Sequence, residues 1–247
     1  MGRINIIEAE WPAPATVRAV VTTRTGGHSQ VPYDGFNLAM HVGDDDATVL
    51  ANRALLLTEL GIKAEPYWLN QTHSTLVINT DEVAGSTHAD GCIARERQQV
   101  CAVLTADCLP VLICNRAGTE VAAIHAGWRG CLEGILSNAV QQLYSPPNEL
   151  LVWFGPAIGP AAFEVGIEVY QAFIDRNPQY HLAFKSISNE KYYADLYKLA
   201  SISLASLGVT AIYGGEFCTS KQQDKFFSYR REGGKTGRIA SLIWIDN

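Results

Sequence analysis

The 247-residue sequence is poor in basic residues: 19 Lys and Arg stand against 25 Asp and Glu, a net charge of −6, and no lysine or arginine run occurs. Without such a run there is no source for the counterion release on which non-specific nucleic-acid binding rests, so nucleic acid is set aside as a partner. Long apolar runs are missing too. None reaches the roughly 18 residues of a membrane span, and the N-terminal MGRINIIEAEWPAP carries acidic residues where a signal peptide would have its apolar stretch. The expectation is a cytoplasmic protein with no membrane contact. Fixed-period repeats, Pro/Ser-rich linkers and charge blocks are also lacking, so nothing divides the chain. One domain over 1–247 is expected, long enough to bury roughly 70–75% of its unfolded surface.

What is present is a β-rich pattern with a few helices. Apolar β-branched runs predict strands at 17–23, 67–69, 75–79, 100–104, 111–114, 121–124, 150–154 and 239–245, with NRAGT as a hairpin loop after the fifth. Helices are predicted after Asp44-Asp45-Asp46, one of which caps a segment that Gly61 ends, and over 129–144, 167–176 and 194–207. Hairpins mixed with helices, without regular βαβ alternation, indicate an α+β fold of mixed sheets with helices outside. The six cysteines lie mostly in apolar context and read as buried thiols, Cys108 excepted.

Three segments share one grammar, an apolar strand running into a polar cluster that holds a metal-capable side chain. They are YWL-NQTHS with His73, VCAVL-TADCLP with Cys108 and VAAI-HAGWRG with His125. If the three strands are neighbours in one sheet, their ends gather two imidazoles and a thiol. Such a set leaves a fourth tetrahedral position open on zinc, as catalytic sites do, and copper would also accept it. Asp107 is a candidate to orient a histidine or to act as general acid or base. In HAGWRG the glycines allow close backbone approach, and Arg129 adds positive charge at a helix start. Arg24 in TRTGG and Arg230 in SYRR are candidates to clamp phosphate or carboxylate, and Asn37, Gln71 and Tyr229 to hydrogen-bond a ligand.

TRTGG, NQTHS, TADCLPV, HAGWRG, GPAIGP with AFEVG, and FSYRR together resemble the YfiH family, the laccase-domain or multicopper polyphenol oxidase-like proteins, over almost the whole chain. The resemblance implies one cysteine-hydrolase-like domain of four layers, helix, sheet, sheet, helix, and a metal site on His73, Cys108 and His125. It implies three activities that compete. The first is phosphorolysis of adenosine, inosine, guanosine and methylthioadenosine to base and ribose 1-phosphate, with adenosine deamination, zinc or copper being the cofactor and nucleoside and phosphate the partners. The second is an amidase that removes L-serine from a muropeptide precursor, with Cys108 as nucleophile. The third, copper-dependent polyphenol oxidation, fits poorly. A four-copper centre needs roughly ten histidines, and this chain has six and no H-x-H. The purine nucleoside enzyme is the favoured expectation, with Cys108 and Asp107 as catalytic residues.

Overall fold

The computed structural model describes residues 4–82 and 88–246. In chain order it forms β1 (Ile6–Glu8), β2 (Val17–Thr22), α1 (Asp46–Leu60), β3 (Tyr67–Trp68), β4 (Val77–Asn79), β5 (Gly91–Ala94) and β6 (Cys101–Thr105). Then come β7 (Leu109–Asn115), β8 (Val121–Ala126), α2 (Trp128–Glu133), α3 (Ile135–Gln142), β9 (Leu150–Phe154), β10 (Glu164–Gly166) and α4 (Ile167–Arg176). Last are β11 (Phe184–Ser186), β12 (Lys191–Ala194), α5 (Leu196–Ser206), β13 (Ala211–Gly214) and β14 (Ile239–Ile245).

Two mixed sheets carry the fold, one ordered β1-β2-β14-β6-β3 and the other β13-β9-β7-β8-β5-β4, with a small antiparallel sheet β10-β12-β11 beside them. Strand alternation sorts their side chains into three cores, because successive residues face opposite sides of a sheet. On β14, Ala240, Leu242 and Trp244 pack with Leu56 of α1, whereas Ile239, Ile243 and Ile245 face Leu112, Ala123 and Trp153 of the second sheet. The far side of that second sheet, with Ile113, Ile124 and Val152, meets Leu136, Ala139, Leu199 and Leu204 of α3 and α5. The layers therefore run helix, sheet, sheet, helix, in one mixed α/β domain.

Local signals explain the element ends. Asp45 caps α1 by accepting from the Thr48 amide, and Gly61 closes it in the left-handed region at φ 67°. The helix expected over 129–144 is two, because Gly134 at φ 99° ends α2 and starts α3. NRAGT does turn β7 into β8, which pair antiparallel. Asn52 sits on the buried face of α1 for a reason. Its side chain donates to Ser29 and to the Asn37 carbonyl and accepts from the His28 amide, so a polar group is satisfied inside a core.

Candidate metal centre and active-site cleft

The seam between the two sheets makes the site. The chain leaves β3 in the first sheet, passes His73 and enters β4 in the second; it leaves β6 in the first, passes Cys108 and enters β7 in the second; His125 lies within β8. The expectation of three neighbouring strands is thus corrected. β3 and β6 are parallel neighbours, but β8 belongs to the facing sheet. Two crossings must turn sharply, and both do so on non-glycine residues with left-handed backbone, His73 at φ 60° and Asp107 at φ 87°. Such strain persists only where surroundings over-determine it.

Asp90 supplies that determination for His73. Fully buried before β5, its carboxylate accepts from the amides of Thr72, His73 and Ser74 at 3.2, 3.0 and 2.6 Å, and from the Ser74 hydroxyl at 2.7 Å. It also accepts a hydrogen bond from His125 Nδ1 at 2.7 Å. Burial alone would raise its pKa, yet the hydrogen bonds from His125 and Ser74 outweigh burial and hold it at about 2. One carboxylate therefore fixes both histidines. By holding the His125 proton on Nδ1, it turns Nε2 into a lone-pair donor facing the cleft.

The donor atoms of His73, Cys108 and His125 lie within 4.8 Å of one another, and among the described residues they are the group able to hold a metal ion. Cys108 Sγ is 3.7 Å from His73 Nε2, near the edge of about 3.5 Å that Zn–N and Zn–S bonds of about 2.0 and 2.3 Å subtend at a tetrahedral angle. The set fits a metal. Without one, burial would raise the Cys108 thiol, but His125 and His73 outweigh it and bring the pKa down to about 6; burial opposes His125 too, and the thiolate carries it up to about 9. Gly127 leaves the necessary room. A Cβ there would lie 3.0 Å from the His73 ring and 3.1 Å from Cys108 Sγ.

The three residues open into a cleft of about 340 Å³, the small end of the ligand-pocket range. Gln71, Asp107, Arg129, Tyr229 and Arg230 line it together with His41, Trp128, Phe163 and Arg238. Gln71 spends both ends of its amide on the Leu104 backbone and so builds the wall. Asp107 accepts from the Thr219 and Ser228 hydroxyls at 2.6 and 3.0 Å and from the Arg230 amide at 2.7 Å. Its carboxylate is occupied in holding the 228–230 segment. Arg230 is held in turn, both Nη atoms donating to the Glu164 carbonyl. Arg129 lies over the Trp128 ring, 4.3 Å from its centre.

Two expected ligand-binding residues are elsewhere. Arg24 lines a separate surface cleft, paired with Glu232 at 2.8 Å and Asp34 at 3.2 Å and lying over Phe227. Asn37 is fully buried, its amide tied to Ala39, Asp44 and the Arg238 amide. Asp90 and Arg238 carried no sequence signal of their own. STHAD, unlike the strand-end motifs, shows nothing of the carboxylate's contact with a histidine 35 residues on.

Fold and site thus define a single-domain protein with a three-donor, metal-capable cleft at the seam of two sheets. Residues 18–246 match the family described as multi-copper polyphenol oxidoreductase laccase. The chain belongs to that family, the one its sequence motifs resemble. It is 46% identical to a protein of Haemophilus influenzae named purine nucleoside phosphorylase, over 98% of this chain and 100% of that protein. It is 47% identical to Escherichia coli purine nucleoside phosphorylase YfiH, over 98% and 99%. The crystal structure of Neisseria meningitidis protein NMB0706 superposes with a TM-score of 0.94 at 48% identity, over 98% of this chain and 100% of that one. No helix among the described residues is long and apolar enough to cross a membrane.

Proposed function

We propose that the chain is a purine nucleoside phosphorylase whose His73, Cys108 and His125 hold one metal ion, zinc in preference to copper. The observation that carries the reading is one cleft in which these three donors face three arginines, Arg129, Arg230 and Arg238, none with a carboxylate within 4.0 Å among the described residues. Guanidinium groups without a carboxylate partner suit an anionic co-substrate such as phosphate. Relatives at 46 and 47% identity over nearly the full chain carry the same activity in their names, which supports it further. Three donors of this kind suit a single ion better than a copper cluster, which would draw on more imidazoles than the cleft offers.

In this reading a bound zinc would supply Lewis acidity to the cleft. The protein's own groups do the rest. Asp90 keeps the His125 proton on Nδ1 and fixes the His73 turn. Arg129 and Arg238 receive phosphate, and Phe163 and Trp128 give apolar faces for a purine. Asp107 serves as a positioning residue for Ser228 and Arg230, because three donors already occupy its carboxylate. Adenosine, inosine, guanosine and methylthioadenosine are the proposed substrates, and deamination of adenosine the second activity of the same cleft.

A second reading rests on one specific arrangement. Cys108, His125 and Asp90 form a thiol, imidazole and carboxylate series, the order in which a cysteine nucleophile, its base and the orienting group stand in amide hydrolysis. The test is mass-resolved product analysis of metal-quantified protein given adenosine and phosphate, beside Cys108→Ala and a chelated sample. Adenine and ribose 1-phosphate that vanish in both supports phosphorolysis, and inosine adds deamination. No product from metal-loaded protein overturns the nucleoside reading; muropeptide amide cleavage that survives chelation would then establish the cysteine route.

A further inference from the structure

His41 and Leu104 line not only the cleft but a second cavity, of about 820 Å³ against 340 Å³, so the two spaces adjoin across these side chains. The second cavity lies between α1 and the strand pair β3 and β6, with Arg53, Glu65, Trp68 and Gln98 in its wall. Among the described residues its wall has no thiol and no cluster of three metal-ligating side chains. It is built to bind, not to react.

Its chemistry is selective. The Arg53 guanidinium carbon lies 4.1 Å from the centre of the Trp68 ring, and its Nε donates to the Leu38 carbonyl at 3.0 Å. Those two contacts fix the plane of the group and leave both Nη atoms with no acceptor among the described residues. The neighbouring acid, Glu65, accepts instead from the Trp68 indole, and no carboxylate lies within 4.0 Å of Arg53. A planar, oriented and unspent guanidinium is a fork for phosphate or carboxylate oxygens. Toward the cleft Arg238 continues the positive charge. His41 at the junction is held below its usual basicity by burial and then by the charges of Arg238 and Arg53. Backbone strain points the same way, since among the described residues the non-glycine ones with positive φ are His73, Asp107 and Gln98, and Gln98, at φ 65°, stands in this second wall.

We propose that the second cavity holds a phosphate-bearing, non-reacting extension of the substrate, anchored by Arg53, while the chemistry proceeds in the cleft at His73, Cys108 and His125. The proposal rests on the nucleoside reading and extends its substrate class to nucleotides. For a nucleoside 5′-phosphate, an oxygen of inorganic phosphate forms the bond to C1′ as the C1′–N9 bond breaks. The purine leaves with that electron pair and takes up a proton. The sugar product then carries the new 1-phosphate and its original phosphate.

The test compares adenosine, AMP and ADP, each with inorganic phosphate, on metal-loaded wild type, Arg53→Gln and Arg53→Lys, with melting temperatures recorded for all three proteins. Wild type should favour a phosphorylated substrate by about tenfold in kcat/KM, the scale of one charge-assisted hydrogen bond. Arg53→Gln should abolish that preference while adenosine turnover stays within twofold, and Arg53→Lys should keep part of it. Equal use of adenosine and AMP by wild type, or an equal loss on both substrates in Arg53→Gln, overturns the proposal. Should no nucleoside react, the phosphorylase reading fails by itself. Calorimetric binding of ADP, about tenfold weaker in Arg53→Gln, would still support the cavity assignment, and absent or unchanged binding would refute it.

Discussion

Replacing Asp90 by Asn changes one atom and should cost both stability and metal. The carboxylate accepts five hydrogen bonds, with Ser74 and Thr72 on Oδ2 and the His73 amide and His125 Nδ1 on Oδ1. An asparagine can keep an oxygen on only one side. If the oxygen stays with Ser74, the new NH2 confronts the His73 amide and His125 Nδ1, both donors. His125 can relieve that clash only by moving its proton to Nε2, the atom that should face the metal. If the amide flips, the NH2 meets the Ser74 and Thr72 donors instead, and the His73 turn at φ 60° loses its anchor. Breaking a buried charged partnership costs about 3–5 kcal/mol, which for a domain of this size lowers the melting temperature by roughly 6–20 °C. Loss of a histidine's orienting carboxylate weakens metal binding by about 10–100-fold. Thermal melting of metal-free protein reads the first effect, and competition against a chelator of known affinity the second. An Asp90→Asn protein that melts with wild type and holds zinc within threefold of it would refute the assignment of Asp90 as the common anchor.

Gly127→Ala should keep the fold yet lose metal or about 100-fold of turnover, because its Cβ would press on His73 and Cys108 together; metal content and circular dichroism on one sample check this. Asn37→Ala should destabilise by about 2–4 kcal/mol, as a buried amide with partners on both ends is lost, with KM changed only through Arg238; urea unfolding beside initial rates decides it. Arg24→Gln should leave turnover within twofold, since Arg24 sits in the separate cleft with Asp34 and Glu232. The last expectation concerns acid. Burial would raise the pKa of Glu232, but its bonds to Thr236, Arg231, the Ser228 amide and Arg24 outweigh burial and depress it below its ordinary 4.5. A depressed carboxylate contributes stability above its unfolded pKa and loses it as pH falls through the folded value. Urea midpoints from pH 5 to pH 3 should therefore fall more steeply for wild type than for Glu232→Gln, and parallel curves would contradict the linkage.

What the sequence made legible was whatever a local pattern could carry. Asp45 and Gly61 bound a helix because capping and left-handed closure are decided within a turn. The His73, Cys108 and His125 segments stood out because strand-end motifs announce themselves in a few letters. The pairing of strands across two sheets is not local, which is why His73 and Cys108 proved to sit on crossings between sheets and not at the ends of three adjacent strands. The short strands β10, β11 and β12 had no pattern long enough to read. The same reason explains the exchange of carboxylates. Asp107 drew attention by standing beside Cys108, but it sits in the left-handed turn between β6 and β7 at φ 87°, and its carboxylate turns to Thr219 and Ser228. Asp90 reaches His125 because β5 and β8 are antiparallel partners in which Gly91 pairs Ile124, so the residues just beyond that pair, Asp90 and His125, face one another. A carboxylate that orients a ligand from the neighbouring strand is therefore to be sought by register, one strand away, and not by nearness along the chain.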